Sequence, residues 1–277
     1  MHKTFDVPGP VTLDLRVPSG DISVDATLDG RVEIELIAHD EESQALVDAA
    51  RVEHRDDRVV IEVPQKRGGW SGFALIFGRG GISCRVRCPQ RSNLEIRSKS
   101  ADVEALGTLG NVDVRTASGD LAVQELMGDL VAKGASGDIR AERIHGDASV
   151  QSASGDVDLG FVGGRVSVNA VSGDVRIGQT AGETTVGTVS GDQQHDSAGG
   201  SVTSNSVSGD VRVAVRRGSR VYLDCTTVSG DTSSDLDMTG EPTGDGPLIE
   251  VRVKTVSGDI RITRAPAPAD TTQEVHA

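Results

Sequence analysis

Short alternating runs dominate the chain. Leu121 and Val123, Ile139 and Ala141, Val157 and Leu159, Val166 and Val168, Val175 and Ile177, and Val211 and Val213 are small or branched and apolar. The residues beside them are mostly polar, among them Arg140, Asp158, Ser167, Arg176 and Arg212. A period of two over so short a run, closed by glycine, predicts a half-buried β-strand. The runs recur at a fixed step: thirteen glycines stand nine residues apart from Gly110 to Gly218. Every second unit opens with Ser-Gly-Asp, at 118–120, 136–138, 154–156, 172–174, 190–192 and 208–210, so the full repeat is eighteen residues.

One nine-residue unit is a strand plus a turn, too small to bury its own apolar face. Stacking equivalent units buries it, with contacts mainly between neighbours. The fold class predicted is therefore all-β: a parallel single-stranded β-helix, or β-solenoid, with 18-residue coils of two nine-residue strand–turn units and one short N-terminal helix. An antiparallel meander would also alternate its turns, and eighteen is three sixes, but glycine keeps nine. Glycine is expected to supply the positive φ of the turns. Leu126, Ile144, Val162, Val171, Val189 and Val207 are expected to plug the corners. Gln193, His195 and Ser204 stand where apolar residues are due, so the repeat weakens there, and His195 either fills a poorly packed coil or points outward.

The N-terminal segment, residues 1–64, reads as part of the same body. Val11, Leu13, Leu15 and Val17 alternate, as do Val32, Ile34 and Leu36, and Ser19-Gly20-Asp21 carries the signature between them. Asp40 caps a helix expected over Glu41–Ala50, with Leu46, Val47 and Ala50 as its apolar face. Val52–Arg55 and Val59–Val63 form a hairpin around Asp56-Asp57. A basic, aromatic, Gly-rich loop follows over 65–81, the solenoid repeats over 82–263, and a disordered tail over 264–277. Near Arg217-Gly218-Ser219 the register shifts, and Val221 and Leu223 become the inward candidates.

With 277 residues the chain has room for a sizeable core, but aromatics make up only 2%, so that core is a thin aliphatic seam. A net charge of −14 argues against nucleic-acid binding by the whole molecule. Cys84, Cys88 and Cys225 lack a second ligand pair and read as buried or free thiols, with no cofactor implied. No long apolar run is present, which predicts a cytoplasmic protein with at most peripheral membrane contact.

Three candidate sites emerge. The aspartates Asp102, Asp120, Asp138, Asp156, Asp174, Asp192 and Asp210 should stack one strand spacing apart. Neighbouring carboxylates at that distance repel by about 1 kcal/mol per pair in water. Turn formation with solvated carboxylates explains the column, and a row of calcium ions is the alternative. The Gly-Gly-x-Gly-x-Asp spacing of calcium rolls is missing. The second candidate is the loop: Lys66, Arg67, Trp70, Phe73, Phe77 and Arg79 either cap the solenoid or dock a protein partner or an anionic membrane. Residues 65–99 carry eight Lys or Arg against Glu95 alone. The third is catalysis. His2, His39, His54, His145, His195 and His276 are scattered, with no nucleophile or carboxylate at an indicative spacing. Asp156, Asp158, Asp174, Arg176 and Arg212 would have to gather as in polysaccharide-acting β-helix enzymes.

The Val-Ser-Gly-Asp-Val-Arg-Ile type of repeat, at 171–177, 207–213 and 256–262, resembles the bacterial putative-adhesin family, a β-strand-repeat domain of unknown function also called the toastrack domain. The segment Pro89–Ile96 followed by Ser100-Ala101-Asp102-Val103 is similar to that family's entry into its repeats. The resemblance spans roughly residues 5–263. It implies a right-handed single-stranded β-helix-like fold, no known catalytic residues, and occurrence with membrane or cell-envelope stress systems. The sequence thus points to a non-catalytic, adhesin-like interaction scaffold with a protein or envelope-surface partner, able to self-associate through its solenoid ends. A polysaccharide-acting β-helix enzyme and a calcium-stabilised structural roll are the alternatives.

Overall fold

A computed structural model describes residues 1–64, 81–236 and 246–266. Among them are twenty-five strands and one helix, arranged as a 13-stranded and a 12-stranded sheet. Each 18-residue repeat gives one strand to each sheet, for example Val157–Val162 to the first and Val166–Ser172 to the second. Successive coils pair in parallel, as Leu121 with Ile139, Ile139 with Val157, and Val157 with Val175. The chain is a two-sheet β-solenoid.

The core lies between the sheets. Leu121, Ile139, Val157 and Val175 form one inward column and Leu126, Ile144 and Val162 another, all buried. Isolated coils could not bury these residues, so the stacking itself supplies the hydrophobic driving force.

The two glycine columns do different work. Gly119, Gly137, Gly155, Gly173, Gly191 and Gly209, from Ser-Gly-Asp, have φ between +113° and +136°. The other set, Gly128, Gly146, Gly164, Gly182 and Gly200, is not among the positive-φ residues. It is kept small by close approach, since a Cβ on Gly146 would lie 2.6 Å from the Gly128 carbonyl oxygen. The expected positive φ therefore holds for one turn of each coil only.

At both ends the spatial order departs from chain order. Thr12–Arg16 sits between Arg58–Glu62 and Asn93–Arg97, so Ser19-Gly20-Asp21 stacks on Ser100-Ala101-Asp102. Leu248–Ser257 inserts between Val202–Ser208 and Arg220–Ser229, which makes the earlier segment the terminal coil of the stack. Val221 and Leu223, on that last coil, are only partly buried. His2–Asp6 and Arg31–Ala38 add antiparallel strands beside Ile82–Arg87.

The hairpin pairs Arg51–Arg55 with Arg58–Glu62. The helix runs Glu41–Asp48, with the Asp40 carboxylate accepting from the Ser43 N–H at 2.6 Å. It ends before Ala50, and Val47 is its buried apolar contact. At the other end Arg264 closes the strand Ile260–Arg264 and Ala265 is buried, so the body reaches past the tail boundary drawn at residue 264. Residues 267–277 lie outside the described residues.

Candidate functional site: an uncharged sheet face

The aspartates form a ladder. In each coil the Asp Oδ1 accepts the backbone N–H of the aspartate one coil on: Asp102 from Asp120 (2.9 Å), Asp120 from Asp138 (2.8 Å), Asp138 from Asp156 (3.0 Å) and Asp156 from Asp174 (2.8 Å). It continues through Asp192 and Asp210 to Asp259 and Asp231. Each carboxylate thus satisfies an N–H at the turn, a charge-assisted bond that offsets repulsion along the column. For Asp138 the bond from Asp156 is the leading cause that holds its carboxyl below the usual range. Among the described residues no three His, Cys, Asp or Glu side chains are disposed to hold a metal ion.

A second ladder lines the opposite turn. Asn93, Asn111, Asp129 and Asp147 accept in the same way from Asn111, Asp129, Asp147 and Arg165. Its signal in the sequence is Gly-Asn or Gly-Asp at 110–111, 128–129 and 146–147, which keeps the eighteen-residue step.

The two outer faces differ in charge. In the first sheet Asp158, Arg176 and Arg212 point outward, with Asp158 beside Arg176 in register, Arg176 paired with Asp196 (2.9 Å) and Arg212 with Asp210 (3.4 Å). Asp156 and Asp174 lie on the ladder at the sheet edge, where their Oδ1 atoms accept the backbone N–H groups of Asp174 and Asp192. A shallow depression of about 570 Å3 on this face has Glu104, Arg140, Glu142 and Asp158 around it.

The second sheet is different. Its strands Ala148–Ser154, Val166–Ser172, Thr184–Ser190 and Val202–Ser208 contain no ionisable side chain in four consecutive coils. Gln151, Asn169 and Asn205 form one outward column, and Ala153, Val171, Val189 and Val207 the next. Val171, Val189 and Val207 are 50%, 49% and 50% exposed, and Val256 and Val228 continue the column. These valines do not plug corners as expected. Counted by twos from Val166 and Val168, Val171 falls on the outer face. A shallow groove of about 400 Å3 follows Val171, Val189 and Val207, and at Asn169 it meets a second of about 670 Å3 that runs past Gln151 and Ala153 to Lys133 and Arg115.

Beneath the lane the interior turns polar. Thr180, Thr184, Thr188, Gln193, His195, Ser204 and Ser206 are buried and separate the two hydrophobic clusters. His195 Nε2 lies 3.1 Å from Ser204 Oγ, and Gln193 Nε2 donates to Thr188 Oγ1 at 2.8 Å. Gln193 Oε1 is buried with no hydrogen-bond partner. Burial lowers His195 to about 4, so the ring is neutral. This His–Ser pair is only 3% and 0% exposed and faces no groove.

Cys84 and Cys88 are buried free thiols, both pushed up to about 12 by burial, and Cys225 is half-buried. Lys66, Arg67, Trp70, Phe73, Phe77 and Arg79 lie outside the described residues. No helix among the described residues is long and apolar enough to cross a membrane.

The family model Toastrack DUF4097 matches residues 11–263, nearly the whole solenoid. The chain belongs to the toastrack family. No curated protein matches it. This toastrack chain is also similar to several crystal structures. One, of a putative lipid binding protein from Parabacteroides distasonis, is 15% identical, with 95% of this chain and 97% of that one covered and a TM-score of 0.47. A putative adhesin from the same organism is 12% identical, with coverages of 94% and 96% and a TM-score of 0.43. A putative adhesin from Bacteroides fragilis is 13% identical, with the same coverages and a TM-score of 0.40. At such identities and scores these likenesses say nothing of what this toastrack protein binds.

Proposed function

We propose that this toastrack protein is a non-catalytic, adhesin-like interaction scaffold that presents the uncharged face of its second sheet to a protein or envelope-surface partner. The observation that carries this is the placement of valine. In Thr184–Ser190 and Val202–Ser208, Val189 and Val207 stand outside while Thr188, Ser204 and Ser206 stand inside. That arrangement gives up core burial and leaves apolar surface in water. Local rules broken in this way are expected where function, rather than folding, has chosen the residues. The parallel coils hold the lane at one rung per strand spacing, so it is presented ready-formed and loses little freedom on binding.

A photo-crosslinking amino acid at Asn205, on the lane, and at Gln194, on the charged face, tests this in cells. Asn205 is expected to give a discrete crosslinked species, and Gln194 none. Equal crosslinking from both, or from Gln194 alone, would count against the lane as the binding face.

A further inference from the structure

We infer that the occupant of the uncharged face is a second copy of this chain, paired sheet on sheet. This rests on the reading of that face as the docking surface. The face has no aromatic ring on which sugar rings could stack, and no cation to meet phosphate, in the four strands Ala148–Ser154, Val166–Ser172, Thr184–Ser190 and Val202–Ser208. What it has is a row of half-exposed valines at one rung per coil, flanked by amides.

Three observations select a second copy. A partner can seat against every valine only if it repeats at the same ~4.8 Å strand spacing, and a second solenoid does so by construction. Each chain carries a net charge of −14, so two copies repel across most of their surfaces. The four uncharged strands are the described stretch of sheet where they can meet without opposing charges. The area is that of an interface core with a polar rim. The four strands measure roughly 19 Å by 23 Å, or roughly 440 Å2 in projection, and the flanking strands Leu130–Gly134 and Leu248–Ser257, which bring the charged rim residues Lys133, Glu250, Arg252 and Lys254, extend this to roughly 670 Å2, against the ~800 Å2 each partner gives up in a stable pair. The same patch on both subunits makes an isologous, closed dimer, unlike the open chains that pairing through solenoid ends would build.

Sedimentation equilibrium of the purified full chain tests this. Wild type is expected at twice 28.8 kDa. V189E/V207E, which places carboxylates on both sides of the contact, is expected to weaken association by more than about 100-fold and to sediment as a monomer. R176E, on the charged face, should remain dimeric. The circular dichroism spectrum of V189E/V207E should match wild type, since both valines are half exposed, and its melting temperature should equal that of dilute, dissociated wild type and not vary with concentration. A wild-type protein that stays at 28.8 kDa at every concentration overturns the inference. So does a V189E/V207E protein that still dimerises. A monomer whose Asn205 crosslinks to a different protein in cells would leave the lane as a docking face and remove only the second copy. A monomer that gives no crosslink would remove both.

Discussion

Replacing Gly155 with alanine is expected to destabilise the protein by about 3–5 kcal/mol, a large effect for one added methyl group. Two costs combine. Gly155 has φ +115°, which an L side chain rarely adopts. A Cβ there would also meet the Gly137 backbone, 2.6 Å from its carbonyl carbon. Backbone cannot swing aside as a side-chain tip can, so the adjoining coil must shift and its pairing along Ile139–Ile144 with it. The useful comparison is Gly9→Ala, which meets nothing within 4 Å and should change stability by no more than about 0.5 kcal/mol. Urea melts of the two variants check this. A Gly155→Ala protein as stable as Gly9→Ala would mean that the coils do not approach as described. Ala101 is consistent with this account. It occupies the glycine place in the column, but it is not among the positive-φ residues and lies within the long strand Ser100–Leu109.

Stability is also expected to fall by about 3 kcal/mol through His195 as pH drops from above 6.5 to below 4. The buried ring is held neutral down to about 4, while the unfolded chain protonates it near 6.5. Between those values the unfolded state binds the extra proton, so acid favours unfolding. Above 6.5 the group contributes no pH dependence. Glu125 and Asp138, both held below the usual carboxylate range by hydrogen bonds, add a further loss at lower pH. The variant H195I/S204V separates the two. It restores the residue types of the adjoining coils, Ile177 and Val186, joins the two hydrophobic clusters, and leaves neither partner of the pair behind. Its melting temperature should rise and its stability should be flat between pH 6.5 and 5. An unchanged slope in that window would show that His195 is not buried as a neutral ring.

Much of the fold was legible because one physical problem, burying a thin aliphatic seam, is solved identically in every coil. Leu121, Ile139 and Val157 recur in phase, and glycine marks where coils crowd. What could not be read was any choice between equal partners. Ser229-Gly230-Asp231 and Ser257-Gly258-Asp259 are the same signature, so nothing local says that Ile260–Arg264, rather than Thr232–Ser234, pairs with Val211–Val215. The aspartates looked like a column of repelling charges because the N–H that each accepts belongs to a residue eighteen or more positions away. The lane was hidden differently. Val171, Val189 and Val207 read as inward by their apolarity alone, whereas the alternation from Val166 and Val168 puts Val171, and with it its column, outside. His195 fits the other half of the same inversion, a polar residue kept inside where a valine would pack better.

The account depends on coils that stack in parallel, in the stated order, as a rigid support for one face. The distance between spin labels at Arg115 and Lys254, both outward and exposed, measures this directly, with labelled protein diluted in unlabelled protein so that only distances within one chain are seen. Six parallel steps separate these positions, through Lys133, Gln151, Asn169, Gly187 and Asn205, which gives about 29 Å at the β-strand spacing. A single narrow peak near that distance is the expected result. A peak near about 34 Å, as if the coils followed chain order to the end, or a broad spread of distances, would contradict it.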